Sequence, residues 1–290
     1  MNPEISIGLT YYNSVDTIKD ALQSIFAQSF QDWELIIVDD NSTDGSFEIV
    51  QSINDPRVRV YREKEKKGFV GALNLMTQMS MGKYYARMDA DDMMHPERLS
   101  KQIDYLKSNA YVDAVDTSMY SMDRECRAIG VRHAGLIDSR PATLLRGGFL
   151  HHATVMGRTE WFQKNPYNPK YIRAEDCELW CRTYKTSHFA RINEALYFVR
   201  EGLVNVNNYL LSCKTVRQIT RTYGPRYAGK CSTIKLITES YLKGFIYRMF
   251  SSMNSHDVLV NMRNRKLNEE EKAYADSVIA QIKSTKVPGL

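Results

Sequence analysis

At 290 residues, 43% of them hydrophobic and 25% charged, the chain can bury a large core as one domain or as one domain with an appendage, which excludes a mainly disordered polypeptide. A formal charge of +5 and a pI near 8.8 are only mildly basic; with no recognition motif they give no reason to expect nucleic acid, while an anionic substrate or membrane surface stays open. No apolar run approaches the roughly 20 residues that span a bilayer, and the N-terminal MNPEISIGL lacks the basic flank of a secretion signal, so a cytosolic protein is expected, with Cys126, Cys177, Cys181, Cys213 and Cys231 as free thiols.

In chain order, ISIGLT (5–10) reads as a buried strand. The stretch SVDTIKDALQSIFAQS follows as a helix with Val15, Ile18, Leu22, Ile25 and Phe26 on one face, and Asn13 or Ser14 is its expected N-cap. WELIIVDD (33–40) is a second strand, NSTDGS (41–46) a turn, and Phe47, Val50 and Ile53 mark a short helical stripe. RVRVYR (57–62) alternates as a strand, 69–81 reads as helix, and KYYARMD (83–89) as strand. Strand and helix take turns four times, which predicts βαβ units in a mostly parallel sheet with helices on both faces.

Beyond residue 89, Pro96 opens a helix with Leu99, Ile103 and Leu106 inward; 112–123 adds sheet, and 151–162 strand and turn. RAEDCELWCRTYK (173–185) is helical, with Glu175 and Asp176 near its N-terminus, where negative charge is favoured. From about residue 205 strand alternation stops and Tyr, Lys, Arg and Met rise, as in a helical appendage. This C-terminal region sets Lys230, Lys235, Lys243 and Arg248 among Leu236, Ile237, Tyr241, Leu242, Phe245 and Phe250. Such a mixture suits either an anionic lipid surface or a helix packed on the preceding domain.

Chemistry concentrates where strands end, since ligands of open parallel sheets bind outside the carboxyl ends of the strands. Those ends carry Thr10 to Asn13, then Asp39 and Asp40, then Asp89, Asp91 and Asp92. Three carboxylates within four positions repel, so they are either solvated at a loop tip or gathered around a cation. In a DxD pair both carboxylates reach one hard ion such as Mg²⁺ or Mn²⁺, and substrate phosphates complete the shell.

The blocks LTYYN, FQDWELIIVDDNSTD, YYARMDADDMMHPERL and RAEDCELWCR, in this order and spacing, resemble the inverting glycosyltransferases of family 2, over residues 4–200. The resemblance implies a GT-A fold, Rossmann-like, in a 1–204 domain (1–100 the nucleotide-sugar half, 101–204 the acceptor half) followed by a 205–290 helical region. It implies that Thr10 and Tyr12 line the nucleotide pocket and that Asp39 accepts a hydrogen bond from the base. Asp89 would hold the ribose and help with Mn²⁺ or Mg²⁺, Asp91 would be the main metal ligand, and Asp176 the catalytic base. His152 and Glu175 would approach the diphosphate or acceptor. Many family members have proline where Thr10 stands. The QxxRW stretch of processive relatives is absent, LWCRTY offering an arginine only, which favours adding one sugar at a time.

The expected function is therefore transfer of a hexosyl or N-acetylhexosaminyl unit from a nucleotide sugar, UDP-linked by expectation, to a glycan or lipid-linked acceptor of capsule, exopolysaccharide or lipopolysaccharide synthesis. The enzyme would work in the cytosol or peripherally at the inner face of the membrane. The alternative is a catalytically silent nucleotide-binding or scaffolding relative, which has no need to keep both acidic pairs. A phosphatase or receiver-type domain built on Asp39 and Asp40 ranks third.

Overall fold

Strands β1 (Ile5–Tyr11), β2 (Trp33–Asp39), β3 (Val58–Arg62) and β4 (Tyr84–Asp89) form the parallel half of a nine-stranded sheet, in the spatial order β3-β2-β1-β4. This computed structural model describes residues 2–290 apart from 133, 134, 136, 139, 147, 203–205 and 253–263. Helices α1 (Ile18–Phe26), α2 (Ser46–Gln51) and α3 (Gly68–Met79) are the crossovers. Because successive side chains of a strand face opposite ways, β2 feeds two cores. Leu35 and Ile37 join Ile5, Ile7 and Leu9 against α1, whereas Ile36 and Val38 join Tyr85 against Val70, Leu73 and Met76 of α3. Helix α4 (Arg98–Ser108) adds Leu99, Ile103 and Leu106 to the first core, as its spacing predicts.

The second half of the sheet contains β5 (Met93–Met94), β6 (Ala114–Met122), β7 (Ala128–Arg132), β8 (Met156–Arg158) and β9 (Phe189–Arg200). The order continues β4-β8-β6-β9-β5, with β7 also paired to β6; β6 and β9 run parallel and the other pairs antiparallel. Helices α5 (Pro141–Leu144), α6 (Thr159–Lys164) and α7 (Glu175–Thr183) lie in this half. Beyond it, α8 (Val206–Tyr227) and α9 (Gly229–Ser252) form a hairpin, and α10 (Glu269–Lys283) returns to pack Ala275, Val278, Ile279 and Ile282 on Met93, Met122 and Phe198. Part of the expected helical region, 253–263, lies outside the described residues.

Three local expectations change. Neither Asn13 nor Ser14 caps α1 with its side chain: Asn13 has a φ of 52° and its Oδ1 accepts from the Thr43 amide, while Ser14 supplies only its carbonyl, to Thr17 and Ile18. Val15 is thereby left outside the helix and exposed. Within 151–162 only Met156–Arg158 is strand, and α6 follows at once. The 12-residue β9 has no sequence signal, because bulges in its pairing with β6 interrupt the period of two and its first half is only partly buried.

Gly8 shows how tightly the parallel half is packed. A Cβ there would lie 2.7 Å from Cε2 of the fully buried Tyr85 ring. Gly8→Ala is expected to lower stability by about 1–3 kcal/mol through overpacking, read as a drop in the urea midpoint at constant slope. An unchanged midpoint would mean that Tyr85 has room to shift.

Candidate functional site

Strand register brings the polar ends together. Thr10 pairs with Val38 on one side and Asp89 on the other, and Tyr11 pairs with Asp39, so the three strands finish at one level. The loops beyond are laced by hydrogen bonds from the Asn13 amide to Ser42 Oγ and from the Val15 amide to Asp44 Oδ2, both 2.9 Å. Above them lies a cleft of two adjoining cavities, about 500 and 800 Å³, which share Tyr12, Asp40, Phe69, Asp89, Asp91 and Arg173 in their walls.

The acidic loop holds each of its carboxylates differently. Asp89 pairs with the guanidinium of Arg87, and its amide donates to the Tyr197 hydroxyl (3.2 Å). Asp92 turns inward, buried, and accepts from the Arg200 amide (2.8 Å) and from Tyr197; burial and the two neighbouring aspartates push its pKa well up. Asp91 is the most exposed of the three and lines the cleft with Asp89; desolvation and then the charge of Asp89 raise its pKa. The short β5 pins this loop to β9, and Arg200 Nε adds a bond to the Asp91 carbonyl (2.8 Å). A carboxylate pKa raised by desolvation and by a neighbouring like charge is what a bound cation would lower. The hard oxygen donors of Asp89 and Asp91 fit a divalent ion that also binds phosphate oxygens.

Helix α7, whose Glu175 lines the same cleft, begins with Glu175 and Asp176. Its N-terminus has no side-chain cap, and the positive end of the helix dipole favours negative charge there. Glu175 is buried with Oε2 lacking any hydrogen-bond partner; desolvation and the charge of Asp176 push its pKa up to about 7. Desolvation also raises the Asp176 pKa, held back by the Cys177 amide and Arg87. Ligand atoms of His152, Glu175 and Asp176 lie within 4.8 Å of one another. His152 Nε2 is 2.8 Å from the Tyr167 hydroxyl, and desolvation, then Arg87, lower its pKa well below the ordinary range, leaving a neutral ring.

Of the residues expected from sequence, Thr10, Tyr12, Asp89, Asp91, His152 and Glu175 line the cleft, and Asp176 joins His152 and Glu175 beside it. Tyr12 is exposed, with Lys66 Nζ 3.2 Å from its ring centroid. Asp39 is not in the walls. It is fully buried beneath them, accepts from the Ser42 amide (2.9 Å), and has Arg62 Nε 3.2 Å from its Oδ2 without hydrogen-bond geometry. Asp40 faces the cleft instead, its Oδ1 taken by the Lys67 and Gly68 amides that start α3. Sequence reasoning gave no role to Arg87, Phe69 or Arg173. An arginine inside the apolar run YYARM was the available signal for Arg87, which is buried and faces both acidic pairs.

A model of the family described as "Glycosyl transferase family 2" matches residues 6–184. EpsE of Bacillus subtilis is 32% identical over 208 residues, covering 69% of this chain and 73% of its own. The Escherichia coli UDP-Glc:alpha-D-GlcNAc-diphosphoundecaprenol beta-1,3-glucosyltransferase WfaP is 28% identical over 71% of this chain and 81% of its own. Among solved structures, S. aureus TarS 1-349 in complex with UDP-GlcNAc superposes with a TM-score of 0.62 at 18% identity, over 99% of this chain and 82% of that one. The mannosyltransferase PcManGT of Pyrobaculum calidifontis, with GDP-Man and Mn²⁺, gives 0.58 at 15% identity over 97% and 85%. With its GT-A fold and a family match across most of its length, the chain belongs to glycosyltransferase family 2 and is a glycosyltransferase.

Proposed function

We infer that the enzyme moves one hexosyl or N-acetylhexosaminyl unit from a UDP-sugar to a hydroxyl of a glycan or lipid-linked acceptor of a surface polysaccharide, with inversion. The observation that carries this reading is a single cleft lined together by Asp89, Asp91 and Glu175, with Asp176 beside Glu175. Thr10 and Tyr12 would flank the nucleoside. Asp39, from beneath, would fix the loop under the base, and reaches a base only if that loop moves. A Mn²⁺ or Mg²⁺ ion held by Asp91 and Asp89 would neutralise charge on the departing diphosphate.

Asp176 takes the acceptor hydroxyl proton as that oxygen bonds to the anomeric carbon and the bond from that carbon to the diphosphate oxygen breaks. A carboxylate is suited to this role when its ionisation is separated from its neighbour's. Glu175 keeps its proton up to about 7, in part because Asp176 beside it is already charged. The neutral His152 and Tyr167 then offer an uncharged hydrogen-bonded edge to the acceptor or diphosphate. WfaP is named for a UDP-glucose donor and a diphosphoundecaprenol acceptor, and TarS binds UDP-GlcNAc; both support the donor and acceptor classes. Five free cysteines fit the reducing cytosol. A silent scaffold is the poorer reading, because the unpartnered Glu175 oxygen and the crowded Asp91 are destabilising features that pure scaffolding does not use.

Calorimetric titration with UDP, GDP, CDP and dTDP, each with Mn²⁺ and again with EDTA, tests this. UDP binding that chelation abolishes is the expected result. Binding of no nucleotide under either condition would leave the acidic loop as a solvated tip and favour the scaffold.

A further inference from the structure

The net positive charge of the protein resides in one place. Residues 206–252, the α8–α9 hairpin, carry eight Lys and Arg against a single acid, Glu239, a surplus larger than the +5 of the whole chain. That one acid is paired with Arg146 (3.1 Å). Helix α8 is fixed to the catalytic half: Tyr223 donates to Glu178 (2.9 Å), Tyr227 to the Cys181 carbonyl (2.7 Å), and Thr215 to the carbonyl of Ile172 (2.7 Å), a residue of the cleft wall.

Helix α9 packs on α8 and leaves a broad face open to solvent that reaches the edge of the groove between the two helices. There Ile234, Tyr241, Leu242, Phe245 and Met249 are all between 48% and 66% exposed. Their spacing of 7, 8, 11 and 15 residues from Ile234 gathers them into one stripe about 100° wide, with Lys235 and Arg248 at its margins. A soluble surface seldom gathers large apolar side chains in this way. Between the helices runs a groove of about 570 Å³ with apolar walls from Leu210, Leu211 and Phe245, and Lys214, Arg217 and Arg248 around it. Arg217 is stacked 4.1 Å over the Tyr241 ring, while Lys214 and Arg248 have no ion-pair partner among the described residues.

We propose that the outer face of the α8–α9 hairpin docks on an anionic lipid bilayer, the apolar stripe of α9 entering the interface and Lys214, Arg217 and Arg248 receiving a lipid phosphate. An apolar stripe with basic margins is the pattern of a helix lying in the membrane plane, and the cations supply the complementary charge. This deepens the reading of the cleft, on which it rests only for its purpose: a lipid-linked acceptor is met at the surface to which the cleft wall is tied.

Sedimentation with vesicles of equal parts phosphatidylglycerol and phosphatidylcholine, against phosphatidylcholine alone, tests it without donor or turnover, so its failure leaves the reading of the cleft untouched. Binding to the anionic vesicles only is expected. K214Q/R248Q should weaken it about 25-fold, at roughly fivefold per cation, and Leu242→Ser with Phe245→Ser should abolish it. All four side chains are exposed, and UDP affinity and circular dichroism should match the parent in both variants. Equal binding to both vesicles, binding to neither, or binding of inorganic phosphate alone through Lys214 and Arg248 would overturn the proposal. So would a dimer that the Leu242/Phe245 variant converts to monomer, since the stripe would then cover a second copy.

Discussion

Asp176→Asn is expected to reduce sugar transfer about a thousandfold, within the range that a positioned general base supplies, while the affinity for UDP with Mn²⁺ stays within about twofold of the parent. Asparagine keeps the shape at the start of α7 and loses only the ability to take a proton. The geometry makes the result specific. Asp176 clusters with Glu175 and His152, apart from the Asp89/Asp91 pair that would face the diphosphate. Its neighbours cannot replace it: His152 has Nε2 engaged by Tyr167, and Glu175 is still half protonated near neutrality, its pKa being about 7.

The pH profile follows with a definite sign. A base must be ionised, and burial raises the Asp176 pKa above the ordinary aspartate value. Activity should therefore fall with decreasing pH, starting at a higher pH than an unperturbed aspartate would give, while activity above that limb is retained. The two carboxyls titrate as a pair, so the limb measured for Glu175→Gln should be a single step. Loss of nucleotide binding in Asp176→Asn equal to its loss of transfer would refute the division of roles.

The sequence carried the parallel half of the fold because that half is built from local units. Each strand is joined to the next by one helix, and the buried runs WELIIVDD and KYYARMD are too apolar to be loops. The same locality made the acidic strand ends visible. The fate of the three aspartates was not legible, because it is decided by partners far along the chain. Asp92 is turned inward by the Arg200 amide, 108 residues away, and β5 is a strand only because β9 lies beside it. Asp39 and Asp40 look alike in sequence and both are buried, yet Asp39 ends β2 beneath the cleft while Asp40, just past the strand, reaches the cleft wall. The hairpin face was legible as composition only. Which of its apolar residues pack inward, as Leu236 does, and which remain outside, as Leu242 does, needed the position of α8.

Asp91→Asn is expected to weaken Mn²⁺-dependent UDP binding by about a hundredfold or more, since a hard ion that takes only one or two protein carboxylates loses a main ligand. The apo protein should be no less stable, and its melting temperature unchanged or slightly higher. Asp91 contributes no side-chain bond to another residue's group among the described contacts, and it crowds a like charge, so in the absence of an ion its removal is relief. Asp89→Asn is the wrong probe for the same question. It would strip the buried Arg87 of its ion-pair partner, and an uncompensated buried charge costs about 3–5 kcal/mol, so lost binding could not be told from lost structure. Calorimetry with UDP, with and without Mn²⁺, beside a thermal melt of the same sample, separates the two. Weakened metal-dependent binding with an undiminished melt assigns Asp91 to the ion. Parent-like affinity with parent-like sensitivity to EDTA would remove Asp91 from the metal site, and desolvation with the charge of Asp89 would then be the whole account of its raised pKa.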